Sequence, residues 1–378
     1  FIKYQAEADK IQELVQIPRQ LNMEAFTEHH LESDFDEILK VLRDIFWKYT
    51  DPVVLRHIAQ AFDYLVKQDY SLKSKAKTAL DEIIREMINK LQEAVSSLES
   101  EEMGTKEKNF AVLVALQRIK EFTMVMDVDL EGLTDELSTI LDSRVSGGDI
   151  DSHSAQIILT ILWQKAIWRR IALESQTEIT STDIEEMKEK QQKLVSQIIQ
   201  ILGEDADESA FDLELAAYYY LCDFFLFFAP YPPKTASDSL KDAYEQLVIK
   251  LDNDHVAKIT KFFDRAMNRE LDFESTQQEE EDVILTKRHE IQKQRIVIAL
   301  SNAICKSTAS DKLAPVVLSH FASHGAAVEE AVKTFAHALK KADESTMWDH
   351  EFEAMKRKFA EYLSVPAESE TSTEKYEQ

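Results

Sequence analysis

The chain has 378 residues, with 44 Lys and Arg against 70 Asp and Glu, for a formal net charge of −26. That balance excludes a protein whose whole surface is built for nucleic acid, because phosphate binding needs clustered positive charge. It favours a basic partner segment. Two cysteines, Cys222 and Cys305, are too few for a disulfide framework or a zinc site, which fits a reducing compartment.

The six glycines all fall between periodic segments, most of the seven prolines sit in connectors or helix starts, and strict apolar/polar alternation is absent. The expected class is all-α. No run is long enough and free enough of charge to cross a membrane, and the opening residue, Phe1, reads as the start of a fragment.

In chain order, Ala6–Ile17 is amphipathic and ends before Pro18. Ser33 or Asp34 is expected to cap the next helix, which presents Phe35, Ile38, Leu39, Leu42, Ile45 and Phe46. Asp51-Pro52 is a cap followed by a proline at the first helical position, opening a helix that carries Leu55, Ile58, Ala59, Phe62 and Leu65 on one side. Helix pairs follow: Ser71–Leu98 with Lys106–Met126, Leu130–Leu141 with Ser152–Ala172, Asp183–Leu202 with Glu208–Ala229, Thr235–Leu251 with Asp254–Leu271, Val283–Lys306 with Asp311–Ser323, and Ala326–Lys341 with Met347–Leu363. One pair cannot bury its apolar face alone, whereas stacked pairs share a core. The spacing predicts a HEAT-like α-solenoid of paired antiparallel helices, about seven pairs continuous over 1–365. An acidic connector at 274–282 (ESTQQEEED) and a disordered tail at 366–378 stand outside it.

Motifs for chemistry are missing. There is no phosphate-cradling glycine loop and no nucleophile elbow. His289-Glu290 lacks the second histidine of a zincin, since Lys293 stands there. Glu28-His29-His30 reads as a solvated loop. No enzyme, metal or cofactor is expected.

Binding candidates are clearer. Leu213–Ala229 (LELAAYYYLCDFFLFFA) is apolar on nearly every side and so expects cover on nearly every side. Asp223 inside it needs a cation or several donors. Sharing its face are Ala216, Tyr219, Tyr220, Leu226 and Phe227. Either a neighbouring repeat satisfies Asp223, or these residues form a groove with one acidic anchor, as interface hot spots do. Ile157–Ile171 carries Trp163 and Trp168, with Lys165, Arg169 and Arg170 expected opposite. Basic clusters occur at Lys73–Lys77, Arg169-Arg170, Lys356–Lys358 and Lys287, Arg288, Lys293 and Arg295. The last follows the acidic connector and is a secondary candidate for DNA contact.

An ordered series of strings carries a resemblance further. Leu14–Leu55 (LVQIPRQLNMEAFTEHHLESDFDEILKVLRDIFWKYTDPVVL), ALQRIKEF at Ala115–Phe122, ILTILWQKA at Ile158–Ala166, LCDFFLFF at Leu221–Phe228, the Lys287-Arg288 pair and HGAAVEEAVKTF at His324–Phe335 together resemble the stromal-antigen (STAG) subunits of cohesin. The likeness is to a fungal-like C-terminal-half fragment and spans nearly the whole chain to Leu363. It implies a non-catalytic HEAT-repeat scaffold in the nucleus, on chromosomes, that binds the middle of the kleisin subunit and supports cohesin loading, retention on DNA and sister-chromatid cohesion. It also implies that Asp223 contacts the kleisin; Tyr219, Tyr220 and Phe227 on the same helix face, and Trp163 on the second helix of the preceding pair, are the companions expected from the groove reading. DNA is expected to be a weak or secondary partner, and no membrane is expected. The alternatives are a solenoid binding DNA directly through its basic clusters, or an unrelated HEAT adaptor for basic peptides.

Overall fold

The computed structural model describes residues 8–28, 31–98, 105–128, 132–145, 150–176, 179–203, 210–234, 236–270, 279–306, 309, 311–321 and 323–364. Among these residues the regular structure is helical, with no strand. Contacts divide the chain into two compact units, 1–175 and 176–378.

The first unit holds α1 (Ala8–Leu14), α2 (Glu24–Glu28), α3 (Glu32–Lys48), α4 (Pro52–Lys67), α5 (Lys73–Leu98), α6 (Thr105–Thr123), α7 (Leu133–Val145) and α8 (Ser152–Ser175). As the sequence suggests, Asp51 caps α4: its Oδ1 accepts from the amides of Val53 at 3.0 Å and Val54 at 2.9 Å. Such a cap stabilises a helix by about 1 kcal/mol. Asp151 does the same for α8, accepting from the Ser154 amide at 2.9 Å. The expected cap on α3 is different. The helix starts at Glu32 behind Leu31, which offers no side-chain cap. Asp34 therefore acts from inside the first turn, where a carboxylate complements the helix dipole. α5 pairs with α6 and α7 with α8, while α6 also packs on α4 and α8. Phe35, Phe46, Phe62 and Phe122 fill the interior, with the Phe46 and Phe122 rings edge to face at 5.1 Å.

The second unit holds α9 (Ser181–Gly203), α10 (Phe211–Phe227), α11 (Asp238–Gln246), α12 (Asn253–Asn268), α13 (Glu279–Lys306), α14 (Ala314–Leu318), α15 (Ala326–Ala342) and α16 (Glu344–Ser364). The expected pair α9/α10 forms. Two other pairings come out differently. α11 is only nine residues long and rests on α9, which α12 also packs against. The long α13 lies chiefly along α15, because the segment expected to pair with it breaks into a 3-10 turn at Asp311–Leu313 and a short α14. Pro315 stands in the first turn of α14, the one place in a helix where its missing N–H costs nothing. The acidic connector is shorter than expected, since α13 already begins at Glu279. Residues 274–278 and the tail 366–378 lie outside the described residues, as do His29 and His30. Gly325 precedes α15 with φ +89°, a left-handed conformation that favours glycine.

Candidate functional site on α10 and α13

α10 has two faces of opposite character. Inward it buries Phe211, Leu213, Glu214, Ala217, Tyr218, Leu221, Cys222, Phe224 and Phe225. Tyr218 is fully enclosed, its ring 5.1 Å from Phe262, and its hydroxyl donates to the Ile296 carbonyl of α13 at 2.8 Å. Burial pushes the Tyr218 phenol and the Cys222 thiol well above their usual ranges, so neither is an acid, base or nucleophile at neutral pH. The truly buried carboxylate of this helix is Glu214, 2 % exposed and met by Arg265 of α12 at 2.5 Å. The sequence reading gave Asp223 that difficulty and overlooked Glu214, because the answering arginine stands 51 residues further on.

Outward the helix is not covered, contrary to the expectation from its composition. Asp223 and Leu226 are exposed, and Leu215, Ala216, Tyr219, Tyr220 and Phe227 are half-buried on the same side. This is the face predicted from the offsets of three, four and seven. Asp223 makes no hydrogen bond or ion pair among the described residues. Its carboxyl is nonetheless held above the ordinary carboxylate range, since the aromatic wall around it shields it from part of its water. The expectation that a neighbouring repeat would satisfy it is not met here. Burial lifts the Tyr219 phenol to about 12, opposed by the positive charge of Arg295 on α13.

That opposition locates the second candidate set. α13 packs against α10, so the residues read as a groove and those read as a DNA patch adjoin at Tyr219 and Arg295. Lys287, Arg288 and Arg295 are exposed and form no ion pair among the described residues. Lys293 is half-buried, and burial lowers its ammonium pKa with Glu270 opposing. His289 shares a hydrogen bond of 2.8 Å with the Arg269 carbonyl. On the same helix as the cations, Ile284, Ile291 and Ile298 stand 51 %, 47 % and 42 % exposed. Their seven-residue spacing returns them to one side of the helix.

The other basic clusters are largely answered within their own units. Lys75 meets Asp36 at 2.8 Å, Lys358 meets Glu361 at 2.8 Å, and Arg357 pairs with Asp264. On α8, Trp163 is half-buried. The basic residues expected opposite it are not a solvated face. Lys165 is buried, pairs with Asp127 and donates to the Val128 carbonyl at 2.7 Å. Arg170 is 1 % exposed and meets Glu174 at 2.8 Å. A buried cation needs such partners, and α8 recruits them from its own unit.

Among the described residues no group of three or more His, Cys, Asp or Glu side chains is placed to hold a metal ion, and no helix is long and apolar enough to cross a membrane.

Residues 1–168 match the family model described as "Cohesin subunit SCC3/SA, HEAT-repeats domain". Over these residues the chain is similar to the cohesin SCC3/SA subunits. Cohesin subunit SA-1 of Xenopus laevis is 26 % identical over 127 residues, which is 33 % of this chain and 10 % of the relative. Cohesin subunit SA-3 of Homo sapiens is 19 % identical over 228 residues, 60 % of this chain and 18 % of the relative. Sister-chromatid cohesion protein 3 of Arabidopsis thaliana is 22 % identical over 370 residues, 96 % of this chain and 32 % of the relative. The match to the plant protein covers 96 % of this chain and so extends well past the residues of the SCC3/SA model. The chain spans between a tenth and a third of the length of these cohesin relatives.

Proposed function

We propose that this chain is a non-catalytic scaffold segment of a cohesin complex, and that the outer face of α10 receives the middle region of the kleisin subunit. The observation that supports it best is Asp223: an exposed carboxylate, unpaired among the described residues, inside a wall of aromatic side chains. An approaching Lys or Arg would gain a charge partner already shielded from water, and it would dock among Tyr219, Tyr220 and Phe227. Large aromatic area around a single charged anchor is the composition of energetically dominant contacts. Trp163, in the first unit, offers a separate half-buried indole to the same partner. In this reading the protein acts in the nucleus on chromosomes, and its contribution to sister-chromatid cohesion is to hold the kleisin.

Titration calorimetry of the chain against the kleisin middle region tests the reading. Asp223→Lys should weaken binding by about 2–5 kcal/mol if the pair is desolvated. Equal affinity for both proteins would remove Asp223 from the interface.

A second reading, direct DNA binding through Lys287, Arg288, Lys293 and Arg295, draws on the exposure of three of these four cations. Its affinity for duplex DNA would have to fall steeply with salt, because bound counterions are released. No binding even at low salt would dismiss it.

A further inference from the structure

Three charges lie in an ordered row on the surface shared by α10 and α13. The two helices run in the same direction and in register. Arg269 lies 4.0 Å from the ring centroid of Phe211 and its carbonyl bonds the His289 ring, while Tyr218, two turns along α10, reaches Ile296, two turns along α13. The offset of 78 residues in the Tyr218–Ile296 bond therefore places Asp223 level with Ser301. At about 1.5 Å per residue, Arg288 and Arg295 are separated along the row by roughly 10 Å, and Arg295 and Asp223 by roughly 9 Å. Ile291 and Ile298 of α13 and Tyr219 and Leu226 of α10 stand among them, all at least partly open to solvent.

We infer that this row is the docking surface for an amphipathic helix carrying two acidic residues about seven apart, which face Arg288 and Arg295, and a Lys or Arg about six or seven residues beyond, which faces Asp223. The inference rests on the partner-groove reading above and deepens it. It moves Arg288 and Arg295 from a DNA patch into the groove and fixes the charge order of the occupant. Charge complementarity decides for a helix over DNA. Each charge repeats after about two helical turns, the spacing at which a helix returns the same face. A phosphate backbone, in contrast, would meet Asp223 as a like charge and would leave the isoleucines wetted, with no apolar surface to cover them.

The test uses the 378-residue chain with the kleisin middle region and, separately, a short DNA duplex as probes. The side chains changed are exposed, and an unaltered far-ultraviolet circular dichroism spectrum and unfolding midpoint would show that each variant folds. R288E/R295E should lose about tenfold or more of the affinity for the kleisin region, R288K/R295K should keep most of it, and reversal of two acidic residues seven apart in the partner should restore binding to R288E/R295E. Unchanged kleisin affinity in R288E/R295E, with D223K still impaired, would overturn the inference and leave the functional reading standing. Loss of duplex binding with kleisin affinity intact would assign the arginines to DNA and overturn it too. Failure of the unaltered chain to bind the kleisin region at all would overturn both.

Discussion

α8 and α10 are both rich in apolar residues, each the second of a pair, and they handle charge in opposite ways. On α8 the cations point inward and are answered at home: Lys165 by Asp127 and the Val128 carbonyl, Arg170 by Glu174. Trp168 joins them, its indole N–H donating to the Thr123 carbonyl at 2.6 Å. On α10 the inner carboxylate, Glu214, is likewise answered by Arg265, while the outer one, Asp223, is left open beside aromatic surface. A charge inside an apolar helix thus signals neither burial nor function by itself. What separates the cases is whether the same unit supplies the counter-group. Where it does, the charge belongs to the fold, and where it does not, the charge is open to a partner, as proposed for Asp223.

Substitutions can break this contrast at either end. The largest effect is expected from Arg170→Ala, which empties a fully enclosed site while Glu174 stays open to water. It should lower stability by about 3 kcal/mol, read as an earlier urea midpoint, whereas a loss under half a unit would mean that Arg170 is not the internal tie described. Tyr218→Phe deletes only a buried hydroxyl and the bond it donates to the Ile296 carbonyl, which keeps its partner within α13. A loss of about 1–2 kcal/mol is expected, measured in the same way, with no change in the helical signal.

Asp223 should behave in the reverse sense. Its carboxyl sits above the ordinary range in the folded protein because burial disfavours the charge, so the folded state binds the proton more tightly than the unfolded chain does. Ionised Asp223 therefore costs stability at neutral pH, and the cost disappears as pH falls below the usual carboxylate range. Asp223→Asn should unfold slightly later than the unaltered protein at pH 7, and the advantage should vanish under acid conditions. A variant that unfolds earlier at pH 7 would show that the carboxylate is a structural group, like Glu214.

Much of the fold was legible in the sequence. Glycine at the joints, Asp51 before Pro52 and apolar residues three and four apart give the helix starts and the α5/α6, α7/α8 and α9/α10 pairs. The arrangement from α11 to α14 was not legible, since propensity and periodicity do not say that α13 will choose α15 as its neighbour. For the site, the offsets placed Tyr219, Tyr220, Asp223 and Phe227 on one side of α10, and that side is the open one. Which side would be open could not be read from a helix apolar all round. It follows from where Phe262, Phe263 and α13 pack, and those contacts join residues far apart in the chain. The adjacency of Arg295 and Tyr219 was hidden for the same reason.

Hydroxyl-radical footprinting of the chain with and without the kleisin middle region tests the central claim most directly, because it reads the oxidation of aromatic side chains one by one. The account predicts strong protection of Tyr219, Tyr220 and Phe227, with a smaller effect at Trp163. Unchanged oxidation on α10, with the kleisin region bound and protection elsewhere, would contradict it.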